Sequence, residues 1–154
     1  LNFKIPEGRG DIKIVKKFNK KFKFIDESYN ASPLSMKNAL LNFSKIEKKN
    51  FKKYILLGDM LELGDKSNFY HKNLSKIINN TDIDKIFVYG EKILNAYKYI
   101  SKSKQGNILQ HQSDFDEIFP QILKKNDHLM VKGSNATGLN ELSKKIINGV
   151  KNAI

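Results

Sequence analysis

Four short segments combine reactive or hydrogen-bonding side chains with residues that let a chain stop and reverse. They are Asp26-Glu27-Ser28-Tyr29-Asn30, Gly58-Asp59, Gly90-Glu91 and Lys132-Gly133-Ser134. Each follows an apolar run. Strand ends need turns in any case, but this set also brings together acids, a lysine, amides and hydroxyls. Glu62 adds an acid three residues after Asp59, and His71 adds a ring that can carry a proton near neutral pH. Arg9 is the only arginine in a chain rich in lysine. A guanidinium kept in such a composition suggests a need for a planar, bidentate donor. Other chemistry is missing from the sequence. There is no GxxxxGK[ST] loop, no GxGxxG, no GxSxG elbow and no His/Asp/Glu cluster at metal-ligand spacing. Gly8-Arg9-Gly10 is too short to cradle a triphosphate. If ATP is used, its phosphates must be gripped by another domain.

Alternating strands and helices would position these segments. Phe22-Lys23-Phe24-Ile25 reads as a strand, and Ser32-Pro33 as a helix start, with serine at the N-cap and proline first in the helix. Met36, Leu40 and Phe43 follow at helical spacing. Tyr54 to Leu57 is a second strand, followed by a helix from Ser67 to Asn80 with Tyr70, Leu74, Ile77 and Ile78 on one face. Ile86 to Tyr89 is a third strand, before a helix carrying Ile93, Tyr97 and Ile100. Ile108-Leu109 is a weaker strand. The helical pattern of Phe115, Ile118, Phe119, Ile122 and Leu123 contains Pro120, which should kink or divide it. His128 to Val131 is the fifth strand, and Leu139, Leu142, Ile146 and Val150 mark the closing helix. Ile12 to Val15 is a candidate antiparallel edge strand. The expected fold is a three-layer α/β, Rossmann-like domain with a mostly parallel sheet flanked by helices. Residues 1–20 read as a connector with a possible edge strand, and residues 21–154 as the domain proper. In such a sheet ligands bind beyond the carboxyl ends of the strands, so the four segments should share one rim.

At 154 residues and 40% hydrophobic, the chain suits one compact domain with a core. No apolar run approaches the ~18–20 residues of a membrane span, so no membrane partner is expected. The absence of cysteine rules out disulfides and thiolate chemistry and fits a cytoplasmic protein. The chain opens on Leu1, as an excised fragment would. Its formal charge of +12 invites a nucleic-acid reading. The lysines, however, are scattered from Lys16 to Lys145 rather than gathered into a stripe, which favours solvated faces over a nucleic-acid partner.

Three segments carry a resemblance. Asp26-Glu27-Ser28-Tyr29-Asn30-Ala31-Ser32-Pro33-Leu34-Ser35-Met36 is similar to the D-[DE]-S-Y-N-A-N-P-x-S-M signature of UDP-N-acetylmuramoyl-tripeptide–D-alanyl-D-alanine ligases, a branch of the Mur ligases. Gly58-Asp59-Met60-Leu61-Glu62-Leu63-Gly64 with His71 resembles their G-D-M-x-E-L-G…H segment, and Val131-Lys132-Gly133-Ser134 their V-K-G-S stretch. Order and spacing agree and span most of the chain. Ser32 replaces the usual asparagine, and Ala136-Thr137-Gly138 stands where an arginine and methionine are common.

The resemblance implies a C-terminal domain, inactive alone, that closes over ATP and helps position the dipeptide. In the family, ATP and Mg2+ are held mainly by a central ATPase domain of the same polypeptide. The tripeptide carboxylate is phosphorylated, the D-alanyl-D-alanine amine attacks, and the product is a peptidoglycan precursor. The implied partners are therefore UDP-N-acetylmuramoyl-tripeptide, D-alanyl-D-alanine and that central domain. By the same resemblance Arg9 would lie near the ATP phosphates and ribose, and Asp26 would accept the ribose hydroxyls. Tyr29 would pack on adenine and Asn30 would bond its edge. Asp59 and Glu62 could orient the incoming ammonium, and His71 could carry its proton. Lys132, Gly133 and Ser134 could meet the dipeptide carboxylate or an acyl-phosphate oxygen. Each has a plainer alternative: capping acids, a core tyrosine, a turn asparagine, a structural histidine, a strand-end turn beside a solvated lysine. Two other functions compete, the same domain of another Mur-type or folylpolyglutamate ligase and a stand-alone basic binding module.

Overall fold

The computed structural model describes residues 10–148, and all statements below concern those residues. Arg9 and Val150 lie outside them. Strand β1 (Asp11–Lys17) pairs antiparallel with β2 (Lys20–Glu27). Their two-residue turn, Phe18-Asn19, has both φ angles near +60° (57° and 60°), the left-handed geometry that matches strand twist in tight hairpins. Residues 11–17 thus form the sheet's antiparallel edge strand, and Val15 is buried beside Phe22.

Helix α1 (Pro33–Lys45) begins as its first residues require. The Ser32 hydroxyl accepts from the Ser35 amide at 3.1 Å, and the Ser35 hydroxyl accepts from the Ser32 amide at 2.9 Å. Then come β3 (Lys53–Gly58), α2 (Ser67–Asn79), β4 (Lys85–Tyr89), α3 (Leu94–Tyr97), β5 (Gln105–Leu109), α4 (Asp114–Ile118), β6 (His128–Lys132) and α5 (Leu139–Asn148). Two helices are shorter than the apolar spacing implies. The helix carrying Ile93, Tyr97 and Ile100 keeps only Leu94–Tyr97 in α form. Pro120 falls in a 3-10 turn, Phe119–Gln121, where α4 ends, because its missing amide cannot continue the ladder.

The sheet order is β1-β2-β6-β3-β4-β5, and every pairing except β1–β2 is parallel. The chain moves outward from β3 to β5, then returns to insert β6 between β2 and β3. Crossovers of one hand that run in opposite directions must cover opposite faces. Accordingly α1, α2 and α3 pack on Ile25, Ile55, Leu57, Ile86, Val88 and Met130. Helices α4 and α5 pack on the alternate residues Phe24, Tyr54, Leu56, Phe87, Leu129 and Val131. Burial of both faces explains why β3 and β6 are buried along their whole length and apolar at their centres, Ile55 to Leu57 and Leu129 to Val131. The reversal of strand order at β6 brings the carboxyl ends of β2, β6, β3 and β4 side by side.

Candidate functional site

Each loop at this rim is tied to the next. At the end of β2, one Asp26 carboxylate oxygen accepts from the Ser28 amide (3.1 Å) and the Ser28 hydroxyl (2.5 Å). This turn leads the chain out of the sheet. Ser28 is fully buried and Asp26 nearly so, while Tyr29 is 49% exposed and Asn30 is exposed. No protein donor among the described residues reaches the second Asp26 oxygen, Oδ2.

Strand register explains where Lys132 goes. In the parallel β2–β6 pair Glu27 stands opposite Lys132, and the two side chains meet at 3.6 Å. The Lys132 ammonium continues to the Asn30 carbonyl, donating at 2.5 Å, and the residue is only 2% exposed. In this conformation it ties β6 to the β2 loop. An ammonium kept from water needs such partners.

The loops after β6 and β3 are joined twice. The Ser134 amide donates to the Asp59 carbonyl (3.1 Å), and the Leu61 amide donates to the Ser134 hydroxyl (3.1 Å). Gly133 makes the approach possible, since a Cβ there would lie 2.9 Å from Leu139 Cδ1 and 3.1 Å from Gly58 Cα. Its demand for glycine comes from the protein's own backbone. Asp59 extends the chain to β4, its carboxylate accepting from the Ile93 amide at 2.7 Å. The same carboxylate sits over Gly90, where φ is +130° and a Cβ would lie 2.5 Å from it. The ties therefore follow the strand order β2, β6, β3, β4. At about 1 kcal/mol net for each hydrogen bond, they are worth several kcal/mol of loop ordering.

The remaining candidate residues are held by neighbouring loops. His71 is fully buried, and Nε2 accepts from the Met60 amide at 3.0 Å while Nδ1 lies 2.7 Å from the Ser67 carbonyl. Both ring nitrogens are committed, so none is left to take a substrate proton. His71 fastens the β3 loop to the start of α2. Asp59 and Glu62 do not form an acid pair: the Asp59 carboxylate faces the β4 loop, while Glu62 is exposed on a left-handed turn (φ 61°). The Ser134 hydroxyl oxygen accepts from the Leu61 amide, which fixes its position without using its own proton. Glu27, Ser28 and Ile93 contribute to the site without having been candidates. The sequence signal for Glu27 is its parity with Ile25 along β2, which only register turns into a partner for Lys132.

The amino-terminal entry is also at the rim. The Gly10 amide donates to the Asp26 carbonyl at 2.6 Å, so the residue following Arg9 lies beside the candidate nucleotide loop. Among the described residues no helix is long and apolar enough to cross a membrane, and no group of three or more His, Asp or Glu side chains could hold a metal.

Comparison with known proteins agrees with this architecture. Residues 12–135 match the family model described as "Mur ligase, glutamate ligase domain". The chain is 33% identical over 127 residues to the UDP-N-acetylmuramoyl-tripeptide–D-alanyl-D-alanine ligase of Bacillus subtilis, covering 80% of this chain and 27% of that protein. It is 31% identical over 130 residues to the ligase of the same name from Buchnera aphidicola, covering 80% and 26%. The chain thus spans about a quarter of the length of these curated relatives. Its fold resembles MurF ligase from Thermotoga maritima in complex with ADP, with a TM-score of 0.75 at 21% identity, covering 99% of this chain and 33% of that one. MurF from Acinetobacter baumannii gives a TM-score of 0.74 at 25% identity, covering 93% and 31%. The chain belongs to the Mur ligase family, and residues 12–135 form its glutamate ligase domain.

Proposed function

We propose that this domain is the closing half of an ATP-dependent ligase that joins D-alanyl-D-alanine to UDP-N-acetylmuramoyl-tripeptide. The observation that carries the reading is the continuous set of ties from Asn30 through Lys132, Ser134 and Asp59 to Ile93. It makes one frame of the three signature segments, in a chain similar to ligases of that name.

The residues present fit the nucleoside end of ATP. Asp26 offers Oδ2 to a ribose hydroxyl, the half-exposed Tyr29 ring offers a face to adenine, and Asn30 offers an amide to its edge. Arg9, which precedes Gly10 in the sequence, would add a bidentate donor for the phosphates. No phosphate-gripping loop exists in the sequence, so the main phosphate contacts and magnesium fall to residues elsewhere in the full polypeptide. On the acceptor side, the exposed Glu62 carboxylate is the acid best placed to meet the dipeptide ammonium. Asp59, Gly133, Ser134, Lys132 and His71 hold the surrounding loops in position. The work of this domain is then orientation and exclusion of water, which accelerate amide formation without supplying a nucleophile.

The test uses the full-length polypeptide with ATP, UDP-N-acetylmuramoyl-tripeptide and D-alanyl-D-alanine, following phosphate release and the pentapeptide product. Product should form with the full-length enzyme and not with the 154-residue chain alone. Acceptance of glutamate in place of the dipeptide would instead indicate another ligase of the family. Activity of the isolated chain would overturn the division of roles.

A further inference from the structure

The opposite end of the sheet holds a cleft that the ligase reading does not use. Its volume is about 690 Å³, within the ~300–1,000 Å³ range of small-molecule sites. It opens where β3, β4 and β5 begin, between the first residues of β5 and the turn at Ile122 and Lys124 that leads back to β6. Gly106 shapes it: a Cβ there would lie 2.7 Å from two carbons of the Phe87 ring. The six residues of β3 separate this cleft from the rim, about 20 Å at ~3.3 Å per residue.

Its polar groups are unevenly satisfied. Tyr54 lines the cleft and is 5% exposed, yet its hydroxyl has no hydrogen-bond partner among the described residues. Burial, with Asp127 and Asp84 nearby, pushes the phenol up to about 12, so it remains a donor. The ammonium groups of Lys52 and Lys124 also have no protein partner among the described residues, and Lys85 donates only to the Ser103 carbonyl at 2.8 Å. The one carboxylate in the lining, Asp84, already accepts from the Lys53 amide (2.8 Å) and pairs with Lys48 (3.0 Å). Three cations and a buried phenol donor thus face a cavity whose one lining acid is already paired with Lys48. That donor set suits an oxyanion with several acceptor oxygens, and the cavity is larger than an inorganic ion requires.

We propose that this cleft is a second ligand site, taking a small organic phosphate whose oxygens are bound by Lys52, Lys85, Lys124 and the Tyr54 hydroxyl. The body of the ligand lies toward Asn107 and Ile122. The site is independent of the rim, so it can be tested whether or not the ligase reading holds.

The probe is 1-naphthyl phosphate, titrated into the 154-residue chain and followed by amide NMR, with 1-naphthol as the uncharged control. The Lys52, Lys85, Gly106 and Asn107 amides should shift together with a sub-millimolar Kd, and 1-naphthol should leave them unmoved. Lys52 and Lys124 are exposed, so the K52Q/K124Q variant should fold normally while weakening binding at least tenfold. Tyr54→Phe should weaken it about threefold, and added salt should weaken it further. Equal shifts with 1-naphthol, shifts centred on Tyr29 and Asn30, or an affinity unchanged in K52Q/K124Q would each overturn the proposal. Displacement of the probe from these amides by a DNA oligomer at 0.15 M salt would replace it with a nucleic-acid site.

Discussion

At the amino ends of the strands, carboxylates are spent on the backbone of adjoining turns. Asp127 accepts from the Lys52 and Lys124 amides, each at 2.8 Å, and Asp84 accepts from the Lys53 amide at 2.8 Å. Lys53 is fully buried, and its ammonium reaches both Asp82 oxygens (3.0 and 3.1 Å) and the Ser44 carbonyl (3.0 Å). At the carboxyl ends, bonds run from one loop to the next and leave Tyr29, Asn30 and Glu62 exposed between them. The amino edge locks strands together. The rim holds loops in place while leaving polar side chains at the surface.

Substitutions at the two ends should therefore separate stability from kinetics. Lys53→Ala should cost about 3 kcal/mol in urea unfolding, by leaving a cavity and an unsatisfied Ser44 carbonyl. The KM for ATP of the full-length enzyme should stay within about twofold. Gly90→Ala should cost about 2 kcal/mol, from the φ of +130° and the clash with Asp59. Unlike the first change it should loosen the rim, seen as faster hydrogen exchange at the Ile93 amide. Lys132→Ala should lower turnover of the full-length enzyme at least tenfold, about 1.4 kcal/mol, and raise the KM for ATP by releasing the Asn30 loop. Unchanged kinetics would remove Lys132 from the frame. If Lys53→Ala impaired ATP binding more than Lys132→Ala, the division between the two ends would fail.

The smallest expected effect is a pH dependence at the amino edge. His128 is buried and stacked on Phe51 with ring centroids 4.0 Å apart. Burial holds its pKa below the ordinary histidine value, and Lys23 and Lys53 act in the same direction against the Asn126 carbonyl contact. The folded chain therefore takes up this proton less readily than the unfolded chain. Its contribution to stability is complete above about pH 6.5 and is lost as the pH falls through the folded-state pKa. Thermal unfolding between pH 7.5 and 5 should show that loss, and His128→Gln should flatten it. A melting temperature rising toward pH 5 in the wild type, and not in His128→Gln, would reverse the assignment.

Local chemistry was legible where local chemistry decides. Ser32-Pro33 starts α1, Pro120 ends the α form of α4, and the apolar runs become strands because both faces of the sheet are covered. The rim's membership was legible too, through the polar segments that follow the strands. The roles within it were not. His71 reads as a proton carrier until Met60 and Ser67 take both of its nitrogens. Lys132 gives no sign in the sequence of its partners, which parallel pairing supplies by setting Glu27 opposite it and placing the Asn30 carbonyl within reach. Asp59 and Glu62 read as a pair until the first turns toward Gly90 and Ile93.

The sequence by itself determined the elements, their alternation and the segments that would share a rim, because capping, proline geometry and apolar periodicity act over a few residues. Only the tertiary structure decided which polar groups hold the frame and which stay exposed. Those outcomes depend on register between strands distant in the chain and on the insertion of β6 between β2 and β3. A lysine's chemistry is the same in any register, but its partners are not.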